Sequence, residues 1–148
     1  MSQTGSTLRA ARQLLLHYGL TDADHPHYAS IDGRLTPQAA IYRAATGTLP
    51  PEFLTDPDKA RHLLRHNPRT WDCIRWVSVV LHTEPGTDTA TGQPDLISHI
   101  DNWCADPDPF TGRRPTLHHV VDLLHFAATT ADTLTDTAPA IPAPRTAA

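Results

Sequence analysis

The sequence predicts an all-α protein, a compact irregular bundle of five to six helices. Three observations lead there: apolar residues recur at three- and four-residue spacing in one segment after another, no long stretch alternates apolar with polar residues, and the β-branched residues are largely threonines at caps and loops. With 148 residues the chain suits one domain with a modest core, and it shows no repeat of fixed period. A single helical domain is expected over residues 1–134, followed by a disordered Pro/Ala/Thr-rich tail over 135–148.

The first helix is expected to start with Ser6 or Thr7 as N-cap, to turn Leu8, Ala11 and Leu15 inward and to stop at Gly19. "TDADHPHYASIDGR" reads as a polar loop or short excursion. Its His25, Pro26, His27 and Tyr28 form a stiff exposed segment suited to touching a partner. The next helix has Thr36 as cap, Pro37 as first helical residue and Gly47 as stop, with a small-residue face of Ala40, Ile41, Ala44 and Ala45. In "TDPDKARHLLRH" Asp56 caps, Pro57 leads, Asp58 complements the helix dipole, Leu63 and Leu64 face inward, and Pro68 closes the helix.

"RTWDCIRWVSVVLHTEPG" is the most hydrophobic helix, with Trp71, Ile74, Val77 and Leu81 in register and Trp76, Val79 and Val80 widening the stripe. This puts it at the centre of the bundle. After a turn-rich connector, residues 94–104 read as a helix with Leu96, Ile97, Ile100 and Trp103 or Cys104 inside. Thr116 caps the last long helix, whose buried stripe is Leu117, Val120, Val121, Leu124 and Ala128.

Four of these segments occur together in one order: a leucine-rich helix ending "HYGL", then "AAIYRAATG", then "IDNWCADP", then "TLHHVVDLLHFAA". In that order the chain resembles the small actinobacterial and actinophage proteins catalogued as domain of unknown function 6197, over residues 8–131. Gln38 and Ala40 stand near where that family tends to carry Cys and Gly, and "NWCADPD" replaces its tighter W-N-D motif. The resemblance implies a helical fold and a lineage, and it implies no activity. One lysine, Lys59, against eleven arginines also matches the usage of a GC-rich bacterial genome.

A net charge of −4 with neutral histidines argues against a generic nucleic-acid surface, which needs a clustered basic face. No segment resembles a signal peptide or a membrane span, so a cytoplasmic setting is expected. Cys73 and Cys104 have no C-x-x-C spacing and read as reduced core thiols. Glycine-rich phosphate loops, G-x-S-x-G and H-E-x-x-H are missing, so no catalytic residue is assigned and the balance leans away from an enzyme.

Two residue sets remain as candidates. His118, Asp122 and His125 share one side of the last helix at i, i+4, i+7, and H-x-x-x-D can aim an imidazole and a carboxylate at one divalent transition metal. Positions i and i+7 lie about 10 Å apart along the axis, so a metal would need two of these plus a donor such as His62, His66, His99 or Asp101. Otherwise Asp122 pairs with a neighbouring histidine. Arg61, Arg65 and Arg69 form the best local basic face, for an acidic partner or phosphate, DNA being the less favoured form of it. No cofactor is expected, and the favoured reading is an interaction or accessory module, regulatory in character, with a protein partner.

Overall fold

The computed structural model describes residues 2–137, the side chains through residue 135. It contains α1 (Gln3–Tyr18), α2 (Pro37–Thr46), α3 (Glu52–Thr55), α4 (Pro57–His66), α5 (Pro68–Val80), α6 (Leu96–Ala105) and α7 (Leu117–Thr137). Among the described residues β pairing is limited to isolated bridges, so the all-α class holds. Among the described residues seven helices stand where five to six were expected. The clear addition is α3, a single turn too short to carry a periodic signal. Helix α7 runs through residues 135–137, which were expected in the tail; the rest of that expectation, 138–148, lies outside the described residues.

Helix α5 packs against α1, α2, α4, α6 and α7, which makes it the central element its hydrophobic pattern predicts. Cys73, Ile74 and Val77 are fully buried on it, while Trp71 and Trp76 are half-buried and Val79 lies out in solvent. Helix α1 packs along α7 and α2, and the core they share includes Leu8, Leu15, Ile41 and Leu124. Thr36 Oγ1 caps α2 by accepting from Ala39 N, and Gly47 ends it in the left-handed conformation, as read from sequence. Asp56 caps α4 in the same way. Pro68 has a different role from the one expected: it opens α5, behind Asn67, whose side chain accepts from Thr70 N. A proline lacking its N–H fits a first helical position as well as a stop.

Helix α1 begins earlier than the Ser6 or Thr7 cap suggested. Ser2 is the N-cap, its Oγ accepting from Gly5 N at 2.9 Å. The cause is tertiary. Ser2 N and Ser2 Oγ both donate to Asp132 Oδ1 on α7, at 2.7 and 2.6 Å, and Arg9 closes an ion pair with Asp132 Oδ2 at 2.7 Å. Gly5 sits inside the helix because a Cβ there would run into the Asp132 carboxyl.

The Ser2 hydrogen bonds, with Arg9 beside them, hold the Asp132 carboxyl down at about 2. A carboxylate whose pKa is lower folded than unfolded stabilises the fold above its unfolded value, near 4, and loses that contribution as pH falls through the folded one. Melting temperature should therefore drop between pH 4 and pH 2. The Asp132→Asn variant, already without the charge, should drop measurably less over that window.

The segment between α1 and α2 is pinned at several points. Thr21 N donates to Leu35 O, Leu35 N to Gly19 O, Ala29 N to Phe53 O and Thr36 N to Tyr28 O. These bonds bury Tyr28, Ala29 and Leu35 and hold the 22–27 stretch over the ends of α2 and α6.

Candidate functional site

A cleft of about 290 Å³ lies under that stretch, lined by His25, His27, Tyr28, Gln38, Arg61 and Asp101 among others. Four elements supply its polar floor: the 20–36 segment brings Tyr28, α2 brings Gln38, α4 brings Arg61 and α6 brings Asp101. Arg61 Nε donates to Tyr28 Oη at 3.0 Å, and Tyr28 Oη donates to Asp101 Oδ2 at 3.0 Å. Gln38 Nε2 donates to Asp101 Oδ1 at 2.7 Å and to Ile97 O at 3.2 Å. The Arg61 guanidinium also lies 3.6 Å from Asp101 Oδ2. One half-buried carboxylate is thus held by a hydroxyl, an amide and a guanidinium.

Burial pushes the Tyr28 hydroxyl above its ordinary range, with the Asp101 charge adding to the shift, so Tyr28 remains a proton donor. Burial also raises Asp101, against the bonds from Tyr28 and Gln38 and the charge of Arg61, which pull it down.

Two buried polar atoms of residues lining this cleft lack partners among the described residues. Gln38 is 1% exposed and its Oε1 is buried without a donor. Its amide cannot turn over to cure this, since Nε2 already faces two acceptors. His27 Nδ1 is the second unpartnered buried atom. A buried acceptor left without a donor costs about 1–3 kcal/mol, so an N–H group entering the cleft would meet an unmet demand.

The sequence-derived sets fare differently. His118, Asp122 and His125 do share one exposed side of α7, but among the described residues none of their side chains forms a hydrogen bond or ion pair. The Asp122–histidine pair is thus not formed: on a helix face open to water, hydration competes with a contact worth only a few tenths of a kcal/mol. The second donors considered for that trio are engaged elsewhere. His99 lies between two hydroxyls, Asp101 belongs to the cleft, and the His62 and His66 rings stack on each other at 3.9 Å. Among the described residues no three His, Cys, Asp or Glu side chains are grouped to hold an ion. His119 turns away from the trio as expected and finds a use in capping: its Nδ1 accepts from Thr116 N at 2.9 Å.

Arg61, Arg65 and Arg69 do not act as one face. Arg61 turns into the cleft, Arg65 lies 3.9 Å from Asp88, and Arg69 stands exposed on the next helix. Both cysteines are free thiols, Cys73 buried and Cys104 half-buried, and burial pushes each up to about 12.

Sequence reasoning named Tyr28 and Asp101 separately and did not join them. Gln38 was missed as a functional residue. The available signal was a lone glutamine in the otherwise apolar run "PQAAI", which says that a buried polar group needs partners but not which ones.

Residues 1–130 match the model of a family described as a family of unknown function, DUF6197. No curated protein and no solved structure matches the chain. No helix among the described residues is long and apolar enough to cross a membrane.

Proposed function

The chain belongs to the family of unknown function DUF6197, and from that premise we propose that it is an interaction module that uses the Tyr28–Gln38–Arg61–Asp101 cleft to hold a polar side chain of a protein partner. One observation carries this reading: a fully buried glutamine that lines the cleft is fixed in orientation and carries an acceptor with no donor among the described residues. The occupant would present N–H donors, as an amide, ammonium or guanidinium group does. The stretch with His25, Pro26 and His27 forms the rim and would contact the partner's backbone around that side chain. Its proline limits the freedom lost on binding. The reading needs no bond making or breaking, and neither a metal nor a cofactor enters it. Its natural setting is the cytoplasm, where Cys73 and Cys104 stay reduced.

A photo-crosslinking residue in place of His25, in the producing cell, tests this. A discrete protein adduct is expected, and it should fall about tenfold with His27→Ala, the loss that about 1.4 kcal/mol of contact energy would cause. A folded, abundant protein that gives no protein adduct, or an adduct indifferent to His27→Ala, would sink the reading.

A further inference from the structure

The opposite side of α6 carries a second polar cluster that the recognition cleft does not use. His99 is 5% exposed, with both ring nitrogens on hydroxyls: Ser78 Oγ lies 2.6 Å from Nδ1, and Thr83 Oγ1 lies 2.6 Å from Nε2. Ser78, on α5, is buried as well, but Thr83 is exposed. His99 and Thr83 line a second cleft, of about 730 Å³, whose walls include Leu81, Trp103, Pro107 and Pro109. The residue before Thr83, His82, holds φ at +60°, a conformation that side chains other than glycine rarely adopt. His82 directly follows the C-cap of α5, where the left-handed conformation is a common helix ending, and the turn it makes leads the chain into Thr83.

We propose that Thr83 is a nucleophile for small esters or thioesters with an apolar acyl group, with His99 as its general base and Ser78 as the residue that positions His99. In the tautomer this requires, Nδ1–H donates to Ser78 Oγ and bare Nε2 accepts the Thr83 proton. As Thr83 Oγ1 bonds to the acyl carbon, its proton passes to Nε2 and the carbonyl electron pair moves to oxygen. Collapse of that adduct breaks the bond to the leaving alcohol or thiol, which takes the proton back from Nε2. The product is an acyl-threonine ester. Water releases the acid by the same path, giving its proton to Nε2 while Thr83 Oγ1 recovers one.

Burial lowers the His99 pKa, so the ring is neutral at pH 7 and able to accept a proton. The other titratable groups on this cleft are Glu84, Asp106, Asp108, Arg113, Arg114 and His119. None of them bonds to His99, and His119 Nδ1 is taken by Thr116. Base strength at Thr83 therefore rests with one imidazole. The apolar walls suit a short uncharged acyl group.

The test treats the full chain with p-nitrophenyl acetate at pH 7, quenches in acid and maps acetyl groups by peptide mass spectrometry. Acetyl on Thr83 is expected, vanishing in Thr83→Val, retained in Thr83→Ser and falling at least about a hundredfold in His99→Gln, as loss of a general base does. Acetyl confined to Lys59 or to exposed histidines would overturn the proposal. So would Thr83 acetylation undiminished in a folded His99→Gln protein. Because His99 is buried and its variant can fail to fold, the wild-type tautomer gives a second measurement. Long-range 1H–15N correlation at pH 7 should show the proton on Nδ1, and a proton on Nε2 would refute the relay.

Discussion

Gly5→Ala is expected to lower the stability of this protein by about 1–3 kcal/mol, although helix propensity alone favours alanine, by up to about 1 kcal/mol in a helix interior and by less in the first turn, where Gly5 lies. The two effects oppose each other and geometry decides between them. An added Cβ would overlap the Asp132 carboxyl. Asp132 can move aside, but only by giving up Ser2 N, Ser2 Oγ and Arg9, its three partners. Hydrogen bonds to a charged group are worth about 1.5–3 kcal/mol each when well shielded and less at a surface, so their joint loss exceeds the propensity gain. The double variant separates the causes. In an Asp132→Ala background there is no carboxyl to displace, and Gly5→Ala should then stabilise the fold. Urea midpoints at pH 7 for the four members of the cycle read this directly. A Gly5→Ala that stabilises the wild-type background would show that the Ser2–Asp132 clasp carries nothing.

The largest effect is expected from Gln38→Glu, nearly isosteric and seated in the cleft floor. It replaces the amide that donates to Asp101 at 2.7 Å with a second carboxylate at the same place. Two carboxylates at hydrogen-bond distance cannot both ionise cheaply, so they share a proton and the pair's upper pKa rises. At pH 7 the cost should be about 3 kcal/mol or more, the size associated with breaking a buried charged contact. The pH dependence has a definite sign. A carboxyl whose folded pKa lies above its unfolded value is tolerated below the unfolded value and becomes destabilising as pH rises through the folded one. The deficit of Gln38→Glu should thus shrink markedly at pH 4, where one proton bridges the pair. Urea titrations at pH 4 and pH 7 check it: an equal deficit at both would mean that Gln38 acts through its volume and not through its bond to Asp101.

Much of the architecture is legible in the sequence. Thr36-Pro37 and Asp56-Pro57 mark helix starts because the cap and its N–H partner are three residues apart, and Pro at the next position forfeits nothing. The stripe on α7 was readable for the same local reason, and Val120, Leu124 and Ala128 are fully buried along it. The start of α1 was not, because its cap answers to Asp132 at the other end of the described chain. Val79 shows the limit of periodicity: α5 has neighbours on many sides but none over that residue, which is 68% exposed. The His118, Asp122 and His125 side was correctly drawn as a side of a helix, yet what faces it is solvent.

By itself the sequence determined the helical class, most helix boundaries, the family and the residues able to do chemistry. These depend on spacings of one to four residues, the reach of a helical turn. The tertiary structure alone decided which of those residues meet. Gln38 and Asp101 are 63 residues apart, Tyr28 and Asp101 73, Ser2 and Asp132 130. A hydrogen bond acts only over about 3 Å, so such pairs exist only where packing of the apolar stripes brings the helices together.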